Sequence, residues 1–152
     1  MKFNFNAAEY GVLGTIYYKY FFFDPSLPLV ITFAPWFFVS NQHVEEGLDP
    51  WGYSFIKGLG YNVLSFQCTE GNINYYRDKI FIKELNRLGA DLPDFIERLS
   101  YGYSMGGYAA TAFSEPLKVD RVLAINPIAS RRRDLAPWDY EAGRGLGSFN
   151  FD

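Results

Sequence analysis

The sequence predicts an α/β fold with a mostly parallel sheet and flanking helices. Short β-branched and aromatic runs alternate with helix-period segments, the pattern of strand–helix–strand units with right-handed crossovers. A glycine-rich turn around Ser104 joins one such run to one such helix. The composition supplies a core, with 49% hydrophobic and 20% aromatic residues, which excludes a disordered chain. A length of 152 residues fits a single domain over 1–152 that buries roughly 70% of the unfolded chain's surface.

Residues 10–23 are rich in Tyr, Phe and Ile and suit one or two strands, closed by the turn Asp24-Pro25-Ser26. No helix separates these first strands from each other, so they are expected as an antiparallel edge. Leu29 to Phe33 is a continuous apolar run, the signature of a strand covered on both faces. It is expected to end at Ala34-Pro35, because proline cannot serve a central ladder. A polar connection from Ser40 to Gly47 leads to a helix over Pro50 to Gly58, with proline at its first turn.

Asn62 to Gln67 reads as the next strand, and Thr69 to Asn74 as a turn-rich loop that Asn74-Tyr75-Tyr76 anchors. A helix carrying Ile80, Phe81, Leu85 and Leu88 runs to Gly89, which suits a C-cap. Arg98 to Gly102 is a strand. Met105 to Phe113 is a helix of small residues that stops at Ser114-Glu115-Pro116. Asp120 to Asn126 is a further buried-type strand, and residues 127–152 are expected as a loosely ordered tail.

Charge and composition exclude several function classes. The net charge is −3 and no basic face dominates, so no nucleic-acid partner is expected. Cys68 is the single cysteine, which leaves no internal disulfide and no cysteine-rich metal site. It is read as core rather than nucleophile. The apolar stretch Tyr20–Val39 contains Asp24, Pro25, Pro28 and Pro35, which break a membrane-spanning helix. With no signal peptide at the amino terminus, the expected location is cytoplasmic. Gly143-x-Gly145-x-Gly147 has neither a preceding strand nor a following helix, so it is not a dinucleotide fingerprint. No metal and no cofactor are predicted. Arg131-Arg132-Arg133 reads as a solvated loop.

The chemistry lies in Gly102-Tyr103-Ser104-Met105-Gly106-Gly107. This is a G-x-S-x-G pattern between a predicted strand and a predicted helix, the context a nucleophile elbow requires. Gly102 and Gly106 stand two residues either side of Ser104, where a Cβ would crowd the strained turn. The helix that follows aims its amino-terminal amides at the site and favours an oxyanion. The alternative is a strand–helix turn whose serine caps the helix.

From Leu29 to Asn126 the chain resembles the α/β-hydrolase family, and within it bacterial serine esterases. Val30-Ile31-Thr32-Phe33 resembles the strand before the oxyanion loop, Val63-Leu64-Ser65-Phe66 its neighbour, and Arg121 to Pro127 the strand after the elbow. The resemblance implies Ser104 as nucleophile and the Met105 amide as one oxyanion donor. It places the second donor in Ala34-Pro35-Trp36-Phe37, where Pro35 lacks an N–H and Trp36 is the candidate. A small-molecule ester or acyl substrate follows from the same resemblance.

The family's acid and histidine come after later strands. Only 26 residues follow Asn126 and none is histidine, whereas each further strand–helix unit needs roughly 30. The chain is therefore expected to lack the carboxy-terminal part that carries both. Asp134, Asp139 and Glu141 are read as surface carboxylates. His43, the only histidine, is the remaining candidate base, in a loop of the kind that opens on the catalytic side of an α/β sheet. Three readings stay open: an impaired serine hydrolase, a non-catalytic binding module on the same fold, and a truncated fragment. The last would expose the strand at Arg121 to Asn126 as an edge open to self-association.

Overall fold

A computed structural model describes residues 2–70 and 76–128. The amino-terminal aromatic segment forms a hairpin. β1 (Ala8–Leu13) pairs antiparallel with β2 (Ile16–Phe21). Gly14 in the two-residue turn has a φ of +60°, the conformation such tight hairpins demand. β2 runs antiparallel to β4 (Asn62–Thr69), whose other neighbour is the parallel strand β3 (Leu29–Val39). β5 (Arg98–Tyr103) and β6 (Arg121–Ile125) continue the parallel part. The order is β1-β2-β4-β3-β5-β6. The predicted α/β class and the predicted antiparallel edge are both present.

Four helices lie among the described residues: α1 (Asn41–Glu45), α2 (Tyr53–Gly58), α3 (Lys79–Asp91) and α4 (Met105–Ala112). None is long and apolar enough to cross a membrane. Period-two alternation in the strands sorts their side chains between two faces. Ile16, Tyr18, Tyr20, Ile31, Phe33, Leu64 and Phe66 meet α3 and α4 on one face. Phe33 stacks on Phe66 at 5.1 Å, and Phe81 of α3 meets Phe66 edge-on at 5.8 Å. Each such fully buried side chain contributes about 1.5–3 kcal/mol through apolar burial. On the other face α2 places Tyr53 and Ile56 against Val30 and Val63.

Asp78 couples the hairpin to this core. Its carboxylate caps α3 by accepting from the Ile80 and Phe81 amides, and it also accepts from the Thr15 amide at 2.8 Å. Asn62 plays a similar part for the turn at residues 24–28: its amide donates to the Asp24 and Leu27 carbonyls.

Four expectations are corrected. β3 does not stop at Pro35; it runs on to Val39, with its register broken between Phe33 and Phe38. The connection from Ser40 holds the short helix α1, capped where the Ser40 hydroxyl accepts from the His43 amide at 3.1 Å. Gly89 is not a C-cap but lies inside α3, where a Cβ would fall 2.1 Å from the Pro116 carbonyl oxygen. There the glycine serves a close backbone approach. Finally, β6 is exposed rather than buried, with Leu123 58% accessible. Among the described residues β6 is the last strand of the sheet. Beside it a groove of about 540 Å³ is lined by Phe55, Ile56, Leu99, Tyr101, Leu123 and Ile125. The tail beyond Ile128, with Arg131 to Arg133, Asp134, Asp139, Glu141 and the glycines from Gly143, lies outside the described residues. So do Asn74 and Tyr75.

Candidate active site

Parallel strands carry their carboxyl ends to one edge of the sheet, and there β5 turns sharply into α4. The turning residue is Ser104, with φ 55° and ψ −118°, a backbone region that costs a non-glycine residue of order 1–3 kcal/mol. Its neighbours permit the turn. A Cβ on Gly102 would lie 2.1 Å from the Gly106 carbonyl oxygen, and one on Gly106 would lie 2.0 Å from that of Phe33. The end of β6 and the residues just after it hold the conformation in place: the Ser104 amide donates to the Ile125 carbonyl at 2.9 Å, and the Ile128 amide donates to the Ser104 carbonyl at 3.4 Å.

The Ser104 hydroxyl makes no capping hydrogen bond to α4. The helix-cap explanation for this serine is thereby removed. Ser104 itself is partly exposed, while Met105, Gly106 and Gly107 are buried at the first turn of α4. In that turn the amides point out of the helix without intrahelical acceptors and carry the positive end of its dipole.

Alongside, β3 bulges. Phe33 pairs with Phe66 and Phe38 with Cys68, so residues 34–37 of β3 stand opposite Gln67 alone. This four-against-one bulge lies directly against the elbow, since the carbonyls of Phe33 and Ala34 are the ones Gly106 approaches. Trp36 is 39% exposed, Phe37 is 61% exposed, and Trp36 meets Phe38 edge-on at 6.1 Å. The strand order, the parallel register and the strained serine turn together are decisive. The fold is the α/β-hydrolase fold.

Solved structures of this fold bear that out. A capsule O-acetyltransferase of Neisseria meningitidis serogroup A, in complex with CoA, superposes with a TM-score of 0.57 at 13% identity, over 88% of this chain and 56% of its own. Acetyl xylan esterase 1 from a Thermoanaerobacterium species superposes at 0.52 with 19% identity, over 99% and 61%. Brefeldin A esterase, a bacterial homologue of human hormone-sensitive lipase, gives 0.52 at 16% identity, over 89% and 43%. The chain thus spans about half the length of these structures. No family model and no curated protein sequence matches it.

Within the α/β-hydrolase fold the other candidate residues fall as follows. The elbow glycines Gly102 and Gly106, Ser104, Met105 and the Trp36 loop are brought to one edge, where β3 and β5 end. His43 lies in α1, on the connection that follows β3. Its ring packs edge-on against Tyr17 of β2 at 6.2 Å, and its buried Nε2 has no hydrogen-bond partner among the described residues. β2 and β5 are separated by β4 and β3, which places them about 14 Å apart at usual strand spacing. Cys68 is fully buried inside β4, and burial pushes its thiol up to about 12, with the Tyr76 amide opposing. No cluster of metal-ligating side chains occurs among the described residues.

Sequence reasoning missed the bulge and what holds it. Tyr76 is fully buried, and its hydroxyl reaches the Ala34 carbonyl at 2.9 Å and the Phe66 carbonyl at 3.2 Å. The available signal was Pro35 inside an otherwise strand-like run, which marks a bulge as readily as an end.

Proposed function

We propose that this chain is a serine hydrolase of α/β-hydrolase type, acting on a carboxylic ester or related acyl bond, with catalysis impaired in this chain. The observation that carries the reading is Ser104 itself: a non-glycine residue at φ 55°, ψ −118°, whose hydroxyl does not cap the helix it begins. Strain of this kind persists only where the surrounding structure over-determines it, and it clusters at reactive sites. The ester and acetyl-transfer names of the superposed structures fit this class of chemistry.

In this reading the Ser104 oxygen adds to the acyl carbon and its proton passes to a base. The carbonyl oxygen takes the negative charge, held by the Met105 amide at the start of α4 and the Trp36 amide in the bulge. Expulsion of the alcohol leaves an acyl group on Ser104, which water then removes. Impairment follows from the base. His43 sits over Tyr17, and a triad stripped of its histidine loses on the order of 10⁶ in kcat. The same placement of His43 favours a second reading, a non-catalytic module that binds an acyl ligand in this cleft. We further propose that the edge at β6, the last strand among the described residues, and its apolar groove mediate self-association, whether the chain acts alone or as part of a longer one. The location we propose is cytoplasmic.

Exposure of the 152-residue chain to a fluorophosphonate, followed by intact mass, tests the first reading. One adduct that Ser104→Ala abolishes means an activated serine. A folded sample without adduct sinks the hydrolase reading and leaves the binding module.

A further inference from the structure

We propose that Asn126 is a positioning residue for Ser104, bending the chain after β6 so that it grips the serine's backbone on both sides. This rests on the acyl-transfer reading of Ser104. Asn126 has a φ of +45°, in the left-handed region that asparagine enters more readily than most residues bearing a Cβ. β6 ends at Ile125, opposite Tyr103. The Ile125 carbonyl accepts from the Ser104 amide at 2.9 Å, one residue past the end of β5. The chain bends at Asn126, and two residues later the Ile128 amide donates back to the Ser104 carbonyl at 3.4 Å. That carbonyl also accepts from the Tyr108 amide at 3.2 Å, where α4 begins.

The consequence for the site is geometric. The Ser104 amide belongs to one peptide plane and its carbonyl to the next, so the two contacts fix both planes about the serine. The direction of the Cα–Cβ bond that carries the hydroxyl follows from them. In a planar trans peptide the carbonyl and the following N–H point in opposite directions. Holding the Ser104 carbonyl therefore also sets the direction of the Met105 N–H. Donors at an oxyanion site act by being in place before charge develops, and a 1 Å misplacement can cost about 10²-fold.

Two further observations single Asn126 out. The G-x-S-x-G spacing is complete without Gly107, yet a Cβ there would lie 3.2 Å from the Cα of Pro127 and 3.3 Å from the Ile125 carbonyl oxygen. The third glycine is thus the seat of this segment. Both ends of the segment are also fixed, Ile125 by the ladder with β5 and Ile128 by packing against the main core. Pro127 has its φ locked by the ring, which leaves Asn126 as the joint. The elbow glycines let the turn form, and the segment they face aims its peptide planes.

Asn126 is exposed, so replacing it removes no packing. Asn126→Val places a β-branched residue where a positive φ is strongly disfavoured. Asn126→Gly removes the side chain and keeps the bend. For both variants and the wild-type chain, exchange of the Ser104 and Ile128 amides is followed by NMR, together with kinact and Ki for a fluorophosphonate. Asn126→Val is expected to speed exchange of both amides about tenfold and to lower kinact about 10²-fold with Ki unchanged. Asn126→Gly should match the wild-type chain in every readout.

Unchanged exchange in Asn126→Val overturns the inference whatever the labelling shows. Faster exchange with unchanged kinact makes the bend structural only and leaves the acyl-transfer reading standing. An Asn126→Gly variant as slow as Asn126→Val assigns the effect to the carboxamide and overturns the backbone role. A wild-type chain that never labels overturns the acyl-transfer reading and the positioning role with it. If Asn126→Val does not fold, Asn126→Ala takes its place, and a kinact equal to that of Asn126→Gly overturns the inference.

Discussion

Residues 100–107 and residues 33–38 lie side by side at the carboxyl ends of β5 and β3, and each departs from regular structure. The elbow does so with residues of its own. Gly102 and Gly106 give way to backbone, and Ser104 takes the left-handed angle between them. The bulge has no comparable local cause beyond Pro35. Its shape depends on Tyr76, 42 residues away in sequence. Two irregular loops that form one candidate site are therefore specified by different means, one by a local motif and one by a long-range hydrogen bond. A motif can be found by scanning; a distant anchor is visible only once the fold brings it home.

Gly106 joins the two regions, so replacing it gives the largest expected effect. In Gly106→Ala the new Cβ would stand 2.0 Å from the Phe33 carbonyl oxygen and 2.9 Å from that of Ala34. Both contacts are with backbone, and neither strand can retreat without breaking its ladder. The expected loss is about 3 kcal/mol or more, roughly 6–12 °C in unfolding temperature for a domain of this size. Thermal unfolding by circular dichroism checks it. A variant as stable as the wild-type chain would mean that elbow and bulge do not touch.

Gly89 tests the same contact logic away from both loops. In the middle of an exposed helix, glycine to alanine normally stabilises by about 1 kcal/mol. Here the Cβ would meet the Pro116 carbonyl oxygen at 2.1 Å, so Gly89→Ala is expected to destabilise by about 1–3 kcal/mol. Chemical denaturation reads the sign directly. A gain in stability would return Gly89 to the helix-end role that the sequence suggested.

What was legible in the sequence follows the same division between local and distant causes. The strands at Leu29–Phe33, Asn62–Gln67 and Arg98–Gly102 announced themselves by continuous apolar or β-branched runs, and each occurs. The elbow was legible because strand, glycine spacing and helix are contiguous. Gly89 misled because a helical glycine near a predicted end looks the same whether it caps or receives a neighbouring carbonyl. Asp120–Asn126 misled because an apolar run records what a strand is able to bury, and Val122, Leu123 and Ile125 remain accessible. The placement of His43 over Tyr17 was not legible at all, since it depends on α1 folding back toward β2. Three tertiary hydrogen bonds hold that connection: Tyr10 to the Glu45 carbonyl, Lys19 to that of Gly47 and Tyr17 to that of Leu48.

Relieving the elbow's strain should move stability the other way. Ser104→Gly places at φ 55°, ψ −118° the one residue that tolerates those angles. Strain of about 1–3 kcal/mol is released, offset by about 0.5–1 kcal/mol from glycine's freer unfolded chain. The net expectation is a gain of about 1 kcal/mol, or roughly 2–4 °C, measured by calorimetry. If Ser104→Gly is no more stable than the wild-type chain, the turn is not strained and the main support for a reactive serine weakens.

The smallest effect is expected at Pro35, and it bears most directly on the contrast between the loops. Proline restricts the unfolded chain, so Pro35→Ala should cost only about 0.4–1 kcal/mol through unfolded-state entropy. It adds an N–H where the ladder is already interrupted, so no existing hydrogen bond is lost. If Tyr76 holds the bulge, amide exchange across residues 34–38 should stay near wild type in Pro35→Ala, because the Ala34 carbonyl remains anchored. If instead that segment exchanges as fast as the bulk chain, the proline ring was the constraint. The bulge would then be as locally encoded as the elbow, by a residue that any reading of the sequence can see.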